Sequence, residues 1–241
     1  MKLLIDGDII AYTAATKAET PVNWGDGLWT LHAFEQDVES DIDEAVSKLV
    51  TSSICTEVVT ALSDASNFRK QVDPTYKANR KNIRRPMLLQ YAKDYMYEKY
   101  NGVIWENLEA DDVLGIMGTE DDDTLIWSLD KDLKTIPGKH LIDGEVVTIS
   151  PLEGDYWFYS QTLIGDLTDN YSGCPKVGAK TAEKILAHDC SWNAVVVAYM
   201  KAGLSEEVAL TQARLARILR TGEYNKETGE VTLWTPPNGS N

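Results

Sequence analysis

The sequence predicts an α/β domain with a mostly parallel sheet flanked by helices, followed by a helical half. Three observations carry that expectation. Short apolar runs alternate with helical patterns through the first 130 residues, the pattern of β-α-β units. Three of those runs, LLID (3–6), TEVVTALSD (56–64) and TLIWSLD (124–130), end in a carboxylate. Beyond residue 150 strand signals give way to helical periodicity.

LLID is short and apolar throughout, as a strand buried on both faces should be. A helical pattern over 35–53 leads to the second run at 56–64, and another over 86–99 leads to GVIWE (102–106). A third helix over 109–117 precedes the strand at 124–130. GKHLIDGEVVTIS then reads as a hairpin closed by Asp143 and Gly144, an Asp-Gly turn suited to two-residue connections. Helices are expected over 153–164, 179–188, 191–202 and 205–220, before a polar tail with a short strand at EVTLW and a frayed end from Pro236 through GSN. The expected division is an α/β core over 1–150 and a helical subdomain over 151–241.

With 241 residues, 43% of them hydrophobic, the chain can bury a sizeable core. No apolar run approaches the roughly 18 residues of a membrane span, and Asp6 breaks the first run too early for a signal peptide. A cytoplasmic address without membrane contact is expected. Cys55, Cys174 and Cys190 are odd in number and lack metal-binding spacing, which argues against a disulfide framework and a structural zinc site. His32, His140 and His188 are scattered singly.

Charge is the informative feature. The net charge is −15, yet Arg69, Lys70, Lys77, Arg80, Lys81, Arg84 and Arg85 face a single acid, Asp73, within one short segment. In parallel sheets ligands bind beyond the carboxyl ends of the strands. Asp6, Asp64 and Asp130 fall there, and Glu109, Asp111 and Asp112 open the helix after GVIWE, where negative charge suits the helix dipole. One such acid reads as a cap or a loop residue; five on one edge, Asp6, Asp64, Asp130, Glu109 and Asp111, read as a site. Their mutual repulsion would raise their pKa values unless cations neutralise them. Hard carboxylate oxygens favour Mg²⁺ or Mn²⁺. A pair of such ions suits phosphodiester hydrolysis, and bound ions invert the local field so that an acidic chain attracts phosphate.

The stretch GDLTDNYSGCPKVGAKTAEKIL (165–186) superficially matches a phosphate loop, but Ala179 separates Gly178 from Lys180. A P-loop requires Lys directly after its second Gly, and no strand precedes the stretch. A nucleotide kinase is therefore disfavoured.

The blocks LIDGD, FRKQVDPTYKANR, LEADDVLG, SLDKDL and GDLTDNYSGCPKVGAKTA, in that order across residues 3–186, resemble the 5′-nuclease superfamily of flap endonucleases, polymerase-associated 5′-nucleases and phage 5′-to-3′ exonucleases. The short LWTPP tail makes the chain most similar to the compact podovirus-type exonucleases. The resemblance implies a PIN-like (Rossmann-like) core, a helical arch in the basic segment 67–100 and a helix-hairpin-helix module over 165–188. It assigns a first metal to Asp6, Asp64, Glu109 and Asp111, and a second to Asp111, Asp130, Asp132 and Asp169, with Asp112 and Asp166 in support. Asp8 falls behind the ligands at best, and Asp121 to Asp123 read as a solvated loop.

Lys77 and Arg80 match the pair that contacts the scissile phosphate, while Arg69, Lys70, Lys81, Arg84 and Arg85 would contact a 5′ strand passing the arch. Tyr12 matches an aromatic that stacks on the 5′ nucleotide, and reads equally as a packed helix residue. In the hairpin module Lys176, Gly178, Lys180 and Thr181 would meet a duplex phosphate, with K⁺ held at the turn. Lys176 stands where relatives usually carry Gly, so it either adds a phosphate contact or tightens a turn that wants positive φ.

The implied activity is metal-dependent 5′-to-3′ hydrolysis of DNA by a monomer, acting on free 5′ ends or flaps and extending to RNA paired with DNA. The implied setting is phage replication or host DNA degradation. The alternative is a binding protein of the same fold that cuts weakly. An RNA-directed PIN nuclease would lack both the basic segment and the hairpin stretch.

Overall fold

The computed structural model describes residues 1–237, so the end expected to fray beyond Pro237 lies outside the described residues. Strand β1 (Lys2–Asp6) runs directly into α1 (Gly7–Lys17), because the Asp6 side chain caps that helix by accepting from the Ile9 amide. An antiparallel hairpin of β2 (Thr20–Asn23) and β3 (Trp29–His32) follows, then α2 (Glu35–Ser52), β4 (Glu57–Ala61) and a single turn, α3 (Arg69–Val72). After α4 (Leu89–Lys99) come β5 (Gly102–Val103), α5 (Ala110–Glu120), β6 (Thr124–Trp127) and the hairpin β7 (Gly138–Ile142) and β8 (Glu145–Ile149). Helices α6 (Pro151–Ile164), α7 (Ala179–His188), α8 (Trp192–Lys201) and α9 (Glu206–Ala216) complete the helical half. A two-residue pairing of β9 (Tyr224–Asn225) with β10 (Glu230–Val231) follows them.

The main sheet has the order β5-β4-β1-β6-β7-β8 and is parallel except for β8. Alternation along β1 sends Leu3 and Ile5 into a core with α1, α2 and α4, while Leu4 packs on the opposite face with Val113, Leu114 and Ile116 of α5. A third core, built around Phe158, Leu163, Val195 and Tyr199, holds the helical half together and includes Tyr76 from the basic segment. Because β1 lies between β4 and β6, the carboxyl ends of three strands open onto one crevice.

The α/β architecture with a mostly parallel sheet is as expected, with informative differences. Residues 7–34 carry more structure than expected, since α1 buries small alanines and the β2–β3 hairpin buries almost nothing. The 67–100 segment is not a continuous helical arch. Between α3 and α4 it forms only a 3₁₀ turn, Ala78–Asn82, because the segment lacks an apolar stripe and Pro74 and Pro86 interrupt it. The last long helix stops at Ala216 rather than near 220, since the carbonyls of Leu215 and Arg217 accept from Arg69 and the Leu219 amide donates to Asp112. Among the described residues, no helix is long and apolar enough to cross a membrane.

Candidate active site

The acids that converge at the crevice arrive by different local devices. Asp6 is the buried N-cap of α1, and its Oδ2 accepts from Ser128 Oγ at 2.8 Å, which ties the end of β1 to the end of β6. Asp64 lies three residues past β4, not at its end as the apolar run suggested. The Asn107 amide (2.9 Å), the Ala65 amide (2.7 Å) and Ser66 Oγ (2.5 Å) hold it there. Glu109 caps α5 in a capping box with Asp112, and Asp111 projects from the first turn of that helix. Asp130 caps the 3₁₀ turn Lys131–Thr135 and accepts from the Asp132 amide at 2.8 Å.

Asp166 and Asp169 reach the crevice from the helical half. They sit on a tight loop closed by backbone bonds between Asp166 and Tyr171, with Gly165 and Gly173 (φ 76° and 64°) on either side. The two glycine backbones pass so closely that a Cβ on Gly173 would lie 2.4 Å from the Gly165 nitrogen. Only glycines permit that approach and that backbone conformation together.

Cationic side chains meet part of this charge. Lys77 Nζ pairs with Glu109 and stands 3.5 Å from Asp169, while Arg80 Nη2 is 2.6 Å from Asp169 Oδ1. Tyr76, buried between them, places its hydroxyl 3.0 Å from Glu109 Oε2 and 2.8 Å from Asp169 Oδ2, so its single proton is shared between the two acids. Sequence reasoning missed this residue, and its place directly before Lys77 in TYKANR was the available signal. Lys77 adopts a left-handed backbone, φ 55°, with its amide bonded to the Asp169 carbonyl. A non-glycine residue in that conformation is strained, as residues at functional sites often are.

The electrostatics divide the acids into two groups. Burial alone would raise Glu109, but the charges of Arg69 and Lys77 and the bonds from Lys77 and Tyr76 outweigh it and hold its carboxyl at about 2. Asp64 is also lowered, chiefly by the Ser66 hydroxyl. Asp6, in contrast, is raised to about 7 by burial and by the charges of Asp8 and Asp130. Burial and the charges of Asp6, Asp130 and Glu109 push Asp111 well up, and burial with Asp130 and Asp166 raises Asp132. Asp6, Asp111 and Asp130 therefore form a crowded set of hard oxygen donors short of positive charge, with Asp132, held by Lys131, beside them, and hard oxygen donors suit a divalent cation. Among the described residues no three acids, cysteines or histidines form a ready-made ligand shell; Lys77, Arg80 and Lys131 instead engage Glu109, Asp169 and Asp132.

Two expected site residues belong to the fold instead. Arg69, read as a DNA contact along the arch, is buried and forms a forked pair with Asp112. Asp112, read as supporting a metal, spends both oxygens on that guanidinium and on the Glu109 and Leu219 amides. Asp8 pairs with Lys93 at 2.9 Å, and Asp121 to Asp123 are exposed. Lys70, Lys81, Arg84 and Arg85 are exposed, with Arg84 bound to Glu19 through two bonds of 2.7 and 2.5 Å. Tyr12 is exposed on α1. In the stretch before α7, Lys176, Gly178, Lys180 and Thr181 are exposed and Lys176 takes φ 64°, so the turn keeps its left-handed residue although that residue is not Gly.

A PIN-like α/β core with converging acids at its carboxyl edge and a basic segment across them defines a nuclease class. Residues 1–153 match the family model described as 5′-3′ exonuclease, N-terminal resolvase-like domain, and the chain belongs to that 5′-3′ exonuclease family. It is 30% identical to the exonuclease of Escherichia phage T7 over 97% of this chain and 93% of that protein. By shape it is similar to a T5 5′-exonuclease with bound divalent metal ions (zinc), at a TM-score of 0.63, 17% identity, and 90% and 89% of the two chains. It is also similar to a bacteriophage T5 flap endonuclease in a pseudo-enzyme-product complex with DNA and metal ions, at a TM-score of 0.58, 18% identity, and 89% and 88% of the chains.

Proposed function

We propose that this exonuclease-family chain hydrolyses DNA from free 5′ ends or flaps with two divalent ions, Mg²⁺ or Mn²⁺. The observation that carries the reading is the under-neutralised pair Asp6 and Asp111 crowded beside Glu109, while Lys77 and Arg80, the phosphate-binding candidates, engage the neighbouring acids Glu109 and Asp169. Asp6, Asp64, Glu109 and Asp111 would hold one ion and Asp111, Asp130, Asp132 and Asp169 the other, with Asp166 orienting Asp169 through its bond to the Asp169 amide. When bound, such ions supply an activated water and charge for the leaving oxygen.

The chain's own residues do the rest. Lys77 and Arg80 transfer their contacts from Glu109 and Asp169 to the scissile phosphate, where they offset charge developing in the transition state. Tyr76 stays bonded to both acids and keeps the two halves of the site in register. No side chain forms a covalent intermediate. Lys70, Lys81, Arg84 and Arg85 follow the backbone of the 5′ strand, and Tyr12 stacks on its terminal nucleotide. The 165–188 stretch acts as a helix-hairpin-helix, with Lys176, Gly178, Lys180 and Thr181 at a duplex phosphate and K⁺ at the turn carbonyls. The protein works as a monomer in the host cytoplasm during phage DNA metabolism, and RNA paired to DNA is also a substrate because phosphate contacts ignore the sugar.

The test is a time course on 5′-labelled and 3′-labelled duplexes, blunt and flapped, with Mg²⁺, Mn²⁺ or EDTA. Metal-dependent short products from the 5′ label, with progressive shortening of the 3′-labelled strand, are expected. Intact binding without cleavage in either metal would make this a structure-specific binding protein instead.

A further inference from the structure

The β2–β3 hairpin is the least buried strand pairing among the described residues and carries two exposed tryptophans. Trp24 and Trp29 are 63% and 60% exposed, and Leu28 and Phe34 are comparably open. An isolated two-stranded hairpin is marginal in water, and this one has neither a third strand nor a helix buried beneath it among the described residues. Its geometry is nevertheless well specified. The Trp24 amide bonds to the Leu28 carbonyl across a tip whose Gly25, Asp26 and Gly27 all take positive φ, and the Trp24 indole donates to Thr30 Oγ at 2.7 Å. Large exposed apolar patches of this kind mark binding surfaces.

The hairpin lies along the path from the candidate active site. Helix α1 begins at Asp6, and its outer row of Asp8, Tyr12 and Thr16 points along the 11-residue helix toward Glu19 and the hairpin base. Glu19 receives both bonds of Arg84 and the Met87 amide, so the root of the hairpin is fastened to the basic segment. Exposed Ile83 and Met87 flank that fastening. Residues 20–34 contain one acid, Asp26, and no Lys or Arg. A nearly neutral aromatic surface thus adjoins the cationic track of Arg80, Lys81, Arg84 and Arg85.

We propose that this hairpin is a base-stacking platform for single-stranded DNA, holding the unpaired 5′ strand beyond the basic segment. The proposal rests on the nuclease reading above. Aromatic stacking beside a phosphate-tracking groove is the usual way to bind single strands without reading sequence. A second copy of the chain docked isologously here would oppose its own basic segment to this one, which charge disfavours.

The test is a titration of the full chain with oligo(dT) in EDTA, followed by intrinsic tryptophan fluorescence and by anisotropy of labelled oligomer. The double variant Trp24→Ala, Trp29→Ala is expected to lose most of the quenching and at least about tenfold in affinity, with the salt dependence of binding unchanged because no charge is removed. Trp24→Phe with Trp29→Phe should restore affinity, which a misfolded hairpin would not do. Flap cleavage should show a raised KM, while blunt duplex cleavage should not change. Unchanged oligo(dT) affinity in the Ala variant would overturn the platform, as would a wild-type dimer that the variant abolishes. Failure of the nuclease reading would appear separately, as absence of metal-dependent cleavage by the wild type.

Discussion

Arg69 and Asp112 are joined by two parallel bonds of 2.7 Å, Nη1 to Oδ2 and Nη2 to Oδ1, with both side chains buried. Removing one partner leaves an uncompensated buried charge, which costs about 3–5 kcal/mol. Arg69→Ala and Asp112→Ala are each expected to lower the thermal midpoint sharply, in metal and in EDTA alike. A variant that kept its midpoint but lost DNA affinity would return Arg69 to the DNA path.

Asp111 stands among Asp6, Asp130 and Glu109 without a cation of its own. Asp111→Asn removes a donor shared between both proposed ions. Cleavage should fall to background while DNA binding persists, and the variant should be at least as stable as wild type in EDTA because repulsion is relieved. Near wild-type turnover would refute the shared-ligand assignment.

Lys77 and Arg84 separate chemistry from tracking. Lys77→Ala should lower kcat by roughly 10²–10³, the usual loss for a preorganised charge at a transition state, with little effect on the salt dependence of binding. Arg84 is already neutralised by Glu19. Its removal should therefore change the salt slope less than removal of Lys81 or Arg85, each of which should reduce it by up to about 1. Wild-type salt slopes for the Lys81, Arg84 and Arg85 variants alike would argue that none of these three residues touches phosphate.

Stability of the metal-free protein should depend on pH in a defined way. Asp6 is raised from 3.8 to about 7, so its contribution to folding is complete below the unfolded value and lost as pH rises through 7. Glu109 and Glu19, each lowered from 4.5 to about 2, contribute above their unfolded value and lose that contribution as pH falls toward 2. The midpoint in EDTA should therefore peak at about pH 4, fall progressively from there to about pH 7 and level off above it, and Mg²⁺ should flatten that fall. A metal-free midpoint that rises over the same interval would contradict the crowding at Asp6.

The two-glycine crossing is open to a direct comparison. Gly173→Ala meets both a positive φ and a 2.4 Å contact, whereas a Cβ at Gly178 meets nothing within 4 Å and its φ is −103°. Gly173→Ala should destabilise the protein and, where it folds, displace Asp169 and depress turnover. Gly178→Ala should leave the thermal midpoint unchanged. Similar midpoints for both variants would show that the loop accommodates the clash.

The parallel sheet was legible because period, length and terminal carboxylates agreed in LLID and TLIWSLD, where local and tertiary preferences coincide. Helix 179–188 was legible to the residue because its amphipathic stripe is strong. The β2–β3 hairpin escaped notice because it buries no face to impose a pattern. Arg69 was misread because sequence shows its charge but not Asp112, 43 residues away. Tyr76 was missed for a related reason: its place before Lys77 marked it out, but an aromatic inside a basic run does not show which distant acids its hydroxyl will meet. Charge type could be read from sequence, while the pairing of charges required the fold.

The Arg69 guanidinium also reaches the carbonyls of Leu215 and Arg217, 146 and 148 positions further along the chain. Those bonds give the order of assembly a biological meaning. During synthesis the α/β half emerges first, and its arginine then lies beside Asp112 without the carbonyls that complete its shell. Asp166 and Asp169 have yet to follow from the ribosome. Under the proposed site, such a nascent chain lacks two of its acids, and the metal-binding set is complete only once the helical half has been made and docked.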